Sequence, residues 1–125
     1  MKTCELSDAE KYIMDKFWQY GTMSGIEVAK KVADKKWQRT TLYTFLSRLT
    51  AKEMIRAKKT DKVNVYVPLI TKEDYQSMLG RRFLDEQYGG RAKDFLAAMV
   101  SGNHLSDDDI KELHDWLISQ GGETK

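Results

Sequence analysis

Residues 39–67 read RTTLYTFLSRLTAKEMIRAKKTDKVNVYV, and the change of pattern inside this stretch decides the fold. From Arg39 to Lys52 the apolar residues Leu42, Phe45, Leu46 and Leu49 follow i, i+3, i+4, i+7, which predicts a helix with one buried stripe. Past Glu53 the period shortens to two. Ile55 and Ala57 alternate with Arg56 and Lys58, and Val63, Val65 and Val67 alternate with Asn64 and Tyr66. The polar run Lys59-Thr60-Asp61-Lys62 joins them, so the second half reads as a hairpin, although its turn lacks the Asn-Gly or Asp-Gly pair typical of tight hairpins.

The side of the helix opposite its stripe is polar and small. At about 100° per residue it carries Thr40, Thr44 and Ser47, flanked by Arg39, Tyr43 and Arg48. No acid occurs from Lys35 through Lys52, whereas a helix that needed only solubility would mix Glu with Lys. Small hydroxyl side chains let a helix approach base edges in the major groove of DNA. Arg39 and Arg48 can reach phosphates or guanine edges, and Tyr43 can contact a phosphate or a thymine methyl. Lys58, Lys59 and Lys62 on the hairpin would lie along the neighbouring backbone, where positive charge adds affinity but little sequence information. The alternative for the hairpin is a solvated edge strand protected by lysines.

Upstream, Ser7 with Glu10 and Ser24 with Glu27 form capping boxes that start two further helices. The first carries Ala9, Ile13 and Phe17 at four-residue spacing, with Met14 and Trp18, and stops at Gly21. The second, shorter helix is expected to bury Ile26, Ala29, Val32 and Ala33 while Lys30, Lys31 and Lys35 point elsewhere. Trp37, just before the third helix, reads as a packing anchor rather than a base-stacking residue. Three helices followed by a basic hairpin are the plan of a winged helix-turn-helix.

Downstream of Pro68, Thr71 with Asp74 starts a fourth helix carrying Tyr75, Met78, Leu79, Phe83 and Leu84, which runs to Gly89-Gly90. A fifth holds Ala92, Phe95, Leu96, Met99 and Val100 and ends at Gly102. Ser106, with Asp107, Asp108 and Asp109 at the positive end of the dipole, starts a sixth, with Ile110, Leu113 and Leu117 expected inward. Short helices with so little core of their own need tertiary partners, so Tyr75, Met78, Leu79, Phe83, Phe95, Leu96, Met99, Ile110, Leu113 and Leu117 are expected at a homodimer interface; folding back on the first half is the alternative. The expected architecture is mainly α with a small β-hairpin: a winged-helix DNA-binding domain over residues 1–70 and a three-helix dimerisation domain over residues 71–125.

Charge divides at the same place. Residues 1–70 hold 14 Lys and Arg against 8 Asp and Glu, a net +6, while residues 71–125 hold 7 against 11, a net −4. A basic segment beside an acidic one points to a polyanionic partner for the first half alone, with a merely solvated face as the alternative on charge alone; the geometry of the third helix makes double-stranded DNA the expected partner. With 41% hydrophobic and 32% charged residues the chain has material for a core and a solvated surface. No run approaches the roughly 20 apolar residues of a membrane span, and the start MKTCELSDAE turns acidic where a signal peptide is apolar, so a cytoplasmic protein is expected. Cys4 is the single cysteine and reads as incidental rather than as a redox sensor. His104 and His114 stand ten apart, and no phosphate loop, His-Glu-x-x-His pair or nucleophile elbow occurs, so neither an enzyme nor a cofactor is expected. The Asp107 to Asp109 run is explained by the helix dipole rather than by a metal.

The chain resembles the penicillinase repressor family (BlaI/MecI/CopY type) over nearly its whole length. The likeness rests on Leu6-Ser7-Asp8-Ala9-Glu10, Phe17-Trp18, Trp37, Thr41-Leu42, Leu46-Ser47-Arg48-Leu49, Tyr66-Val67-Pro68-Leu69, Tyr88-Gly89-Gly90 and Leu105-Ser106 through Leu117. The resemblance implies a bacterial homodimeric repressor on a palindromic operator, controlling β-lactamase or other antibiotic-resistance genes. It extends the DNA-facing set to Gln38 and Thr41, and Gln38-Arg39 replaces the Ser-Pro common in the family. It also implies a sensor-linked protease as a partner in the β-lactam branch, but Ala98-Met99 stands where that branch is cut between Asn and Phe. The tail Gln120 to Lys125 has no thiol for the copper branch's metal cluster. Regulation of another stress or metal response by a non-proteolytic inducer, or a winged helix used only for protein contact, are the alternatives.

Overall fold

The structure, a computed structural model, describes residues 5–121; Cys4 and residues 122–125 lie outside this range. Helix α1 spans Asp8–Tyr20, and both halves of its capping box form: the Glu10 N–H donates to Ser7 Oγ and the Ser7 N–H to Glu10 Oε1. Such a cap contributes about 1 kcal/mol. Gly21 ends the helix at φ 81 and ψ −150, a conformation closed to side chains with a Cβ, while its N–H donates to the Phe17 carbonyl. Strand β1, Met23–Ser24, runs directly into α2, Gly25–Lys31, through the second capping box; a 3₁₀ turn at Ala33–Lys35 and a left-handed Lys36 lead into α3, Arg39–Ala51. Glu53, with φ 62, then turns the chain into β2, Ile55–Lys59, and β3, Asn64–Pro68.

The sheet has the order β1-β3-β2 and is antiparallel throughout, with Met23 opposite Tyr66, and Ile55 and Ala57 opposite Pro68 and Tyr66. The hairpin was legible, but β1 is too short to show a period. Residues paired across a ladder share a face, so Tyr66, not the valines, packs on the core, while Val65 and Val67 lie on the face of Arg56 and Lys58.

One core holds this part together: Ile13, Met14 and Phe17 of α1, Met23, Val28, Val32, Leu42, Leu46 and Leu49 of α3, Met54 and Ile55. Burying each large side chain stabilises by roughly 1.5–3 kcal/mol. The α3 stripe is as expected, with Phe45 at its edge; the α2 stripe is not. Gly25, Val28 and Val32 face the core, whereas Ile26, Ala29 and Ala33 are exposed. Val32 is inward as expected; the rest of the stripe is turned by a single residue, hidden because the glycine at its start carries no hydrophobic signal.

The fourth helix, α4, spans Lys72–Tyr88, with the Asp74 N–H donating to Thr71 Oγ1. Its first turns belong to the core just described. Tyr75 is 3% exposed, its ring centroid 5.3 Å from that of Trp18, Leu79 packs alongside, and Trp18 Nε1 donates to the Ile70 carbonyl at 2.9 Å. Tyr75 therefore is not available to a second copy, which corrects its expected place at the interface. The compact units are accordingly Met1–Gly80 and Arg81–Lys125, dividing ten residues beyond the expected boundary.

The second unit contains the end of α4, α5 at Ala92–Ser101 and α6 at Asp107–Ser119. Phe83, Tyr88 and Phe95 form a cluster with ring centroids 5.4–5.8 Å apart. Asp109 completes the third capping box with Ser106, giving that acid a structural partner. Arg81–Asp85, Arg82–Glu86 and Lys111–Asp115 pair at i, i+4 on exposed surface, contributing about 0.3–0.5 kcal/mol each. Among the described residues after Tyr75, none is fully buried. Ile110 and Leu117, expected inward, are exposed in the single chain, and Leu113 is half-buried.

Candidate nucleic-acid interface

The outer face of α3 is built by its inner one. With Leu42, Leu46 and Leu49 in the core, Arg39, Thr40, Tyr43, Thr44, Ser47 and Arg48 face solvent and Thr41 is half-buried. Gln38 occupies the N-cap in extended conformation but makes no side-chain cap, and the first turn holds no acid, so the positive end of the α3 dipole stays open to an anion. The Thr44 hydroxyl donates to the Thr40 carbonyl at 2.9 Å, which leaves its oxygen free as an acceptor facing outward. Among the described residues, Arg39, Arg48, Lys58, Lys59 and Lys62 form no ion pair.

Two clamps hold α3 at its ends. At the start, Trp37 stands edge-on between Tyr12 and Phe45, with centroids 6.3 and 5.0 Å away, and Tyr12 Oη donates to Asp34 at 2.7 Å. That hydrogen bond holds the Asp34 carboxyl below and the Tyr12 phenol above their ordinary ranges. Trp37 thus has the packing role expected of it. At the other end, Lys52 reaches back to α1 and donates to Glu10 Oε1 at 2.6 Å and to the Glu5 carbonyl at 3.0 Å. Glu10 is 2% exposed. Its burial alone would push the carboxyl up, but the Lys52 ammonium and the Ser7 N–H and hydroxyl outweigh it and hold the group below the usual range. Residue spacing marks Glu10 only as a cap; a tie between residues 42 apart leaves no local signal.

Tyr43 has a second role that its sequence position did not disclose. A Cβ on Gly25 would lie 2.6 Å from Tyr43 Oη, so the ring lies directly on the start of α2. Burial, followed by the nearby Tyr43, raises the Tyr66 phenol above its ordinary value. Tyr43 therefore links α3 to α2 and β3 while remaining 38% exposed.

The wing turn is closed by Thr60, whose N–H donates to the Val63 carbonyl at 3.0 Å while the Val63 N–H donates back to Thr60 Oγ1 at 3.2 Å. Lys58, Lys59 and Lys62 are exposed around it, and Arg56, absent from the expected set, shares an exposed face of β2 with Lys58. The helix face and the wing lie in one compact unit. Of the expected self-association set, Met78 and Phe83 are exposed with Ile110 and Leu117, while Leu79, Phe95, Leu96, Met99 and Leu113 are half-buried. Trp116, Val100 and Ile118, absent from that set, are exposed as well. No helix among the described residues is long and apolar enough to cross a membrane, and no group of three or more His, Cys, Asp or Glu there is placed to hold a metal ion.

A sequence model described as penicillinase repressor matches residues 6–119. The penicillinase repressor of Bacillus licheniformis is 30% identical over 117 residues, 93% of this chain and 91% of that protein. The methicillin resistance regulatory protein MecI of Staphylococcus aureus (strain N315) is 29% identical, covering 93% of this chain and 95% of its own. The solution structure of the DNA-binding domain of the repressor BlaI superimposes with a TM-score of 0.53 and 34% identity, covering 60% of this chain and 94% of that one. The fold is a winged helix, and the chain belongs to the penicillinase repressor family.

Proposed function

We propose that this protein is a homodimeric transcriptional repressor that reads a palindromic DNA operator by placing α3 in the major groove and the β2–β3 wing along the adjacent backbone. The observation that carries this reading is the outward face of α3: hydroxyl-bearing, acid-free and flanked by Arg39 and Arg48, which form no ion pair among the described residues. A helix so faced can approach base edges, and its flanking guanidinium groups suit phosphates or guanine. The names of its relatives support genes of β-lactam resistance as its targets, and a regulator of DNA acts in the cytoplasm.

The dimer is supported by the second unit. A helical unit whose described residues are nowhere fully buried, with Phe83, Val100, Ile110, Trp116, Leu117 and Ile118 between 37% and 57% exposed, gains a core from a partner. A second copy supplies the two-fold symmetry that a palindrome demands. Purely protein-directed use of the winged helix would leave its basic, acid-free face without a purpose.

Protection mapping upstream of the protein's own gene, followed by gel-shift titration of Arg48→Ala and Thr44→Ala, tests the reading. Both variants weaken binding to the protected site without unfolding the chain. If both bind as the parent does, α3 is not the reading element.

A further inference from the structure

Beside the reading face, and sharing Arg39 and Tyr43 with it, lies a groove. It is lined by Gly25, Ile26, Ala29, Lys30, Val32, Ala33, Trp37, Arg39, Leu42 and Tyr43, and encloses about 350 Å³, within the roughly 300–1,000 Å³ of small-molecule sites. Its floor is the buried Val32 and Leu42, its walls the exposed Ile26, Ala29 and Ala33 and the rings of Trp37 and Tyr43. This is the α2 face that the hydrophobic pattern assigned to the core and that the fold leaves open. Two cations, Lys30 and Arg39, line it, and no acid does. The nearest acids in sequence are engaged, Glu27 in the α2 cap and Asp34 with Tyr12.

We infer that this groove binds an amphipathic organic anion, a planar aromatic carboxylate, and that the bound anion excludes DNA. The apolar floor and two ring walls take a flat hydrocarbon body, which an inorganic anion would leave unfilled. The two lining cations, Lys30 and Arg39, favour a carboxylate over a neutral ring. Arg39 and Tyr43 line the groove and also stand on the proposed reading face, so an occupied groove withdraws both from DNA and adds a negative charge beside the phosphates. This mode of release uses no proteolysis. The exclusion, though not the site itself, rests on the proposed function.

The test uses the full chain and naphthoate as the probe. The protein has three tryptophans, so the indole N–H resonances report the site directly. Naphthoate moves the Trp37 signal saturably with a dissociation constant on the order of 0.1–1 mM, while Trp18 and Trp116 stay in place. The neutral naphthamide, Lys30→Gln and Ala29→Glu each weaken that titration about tenfold or more. In a separate arm, at constant ionic strength balanced with acetate, naphthoate raises the apparent dissociation constant for the operator duplex at least fivefold. An immobile Trp37 signal up to about 10 mM probe, or equal binding of naphthoate and naphthamide, overturns the site. Undiminished operator binding at saturating probe overturns the exclusion. The resonance arm contains no DNA, so it decides the site even if the DNA reading fails.

Discussion

Replacing Lys52 by methionine removes the ammonium that neutralises Glu10 and keeps the aliphatic stem that packs beside it. Glu10 is 2% exposed, accepts from Lys52 at 2.6 Å and from the Ser7 N–H at 2.9 Å, and has no other charged partner among the described residues. Removing one member of a fully buried pair costs roughly 3–5 kcal/mol, because the remaining charge is stranded. Here Lys52 keeps 24% exposure and Glu10 keeps its backbone donor, so the expected loss is about 2–3 kcal/mol. The pH dependence carries the signature. In the parent the Glu10 pKa is lowered, so its contribution is complete above the ordinary glutamate value of roughly 4.3 and is lost as pH falls through the lower folded value. In the variant burial acts without its counter-charge and the pKa rises above the parent's, so the penalty is greatest at neutral pH and shrinks as the carboxyl takes up a proton. Urea unfolding followed by tryptophan fluorescence at about pH 7 and about pH 4 should show the difference between parent and variant narrowing with acid. Adding Glu10→Gln to Lys52→Met should return stability to within about 1 kcal/mol of the parent, since a buried pair and a neutral replacement are often equivalent. A loss below about 0.5 kcal/mol, or one independent of pH, would refute the placement of this pair.

Tyr75→Ala should destabilise the first unit by about 3–5 kcal/mol, as for other buried aromatics, and a fragment ending at Ile70 should melt below one ending at Gly80; equal melting temperatures would remove Tyr75 and Leu79 from the core. Trp116→Asp should weaken self-association at least tenfold in sedimentation while the indole resonances of Trp18 and Trp37 stay in place, and an unaltered dimer would relocate the interface. Gly25→Ala pushes a methyl against Tyr43 Oη, which a ring can yield to; stability should change by no more than about 1 kcal/mol while operator affinity falls. An unchanged affinity would show that the ring's present position does not matter to DNA.

The three helices of the second half and the α1–α3–wing order were legible because each has a local cause: a capping box, a 3.6-residue stripe or an alternating run. The features that were not legible depend on distant partners. The two-residue β1 exists only because Met23 meets Tyr66, and Tyr75 enters the first unit only because Trp18 receives it. The α2 stripe was misplaced by one residue because its first member is Gly25, whose lack of a side chain is what lets Tyr43 approach. The candidate DNA face was legible as a surface, from the absence of acids. The tie that fixes it, Lys52 to Glu10, was not, because it joins residues 42 positions apart.

Thr44 stands at the middle of the α3 face, and a carboxylate there tests the central claim most directly. Glutamate has the higher helix propensity and the position is exposed, so Thr44→Glu leaves helix content and melting temperature unchanged. Fluorescence anisotropy with the protected operator duplex should show at least a hundredfold loss of affinity, whereas the parent's log K falls steeply with log salt, by about 0.9 per phosphate contacted. A folded Thr44→Glu protein that binds this duplex as tightly as the parent, with the same salt slope, would contradict the assignment of α3 to the groove.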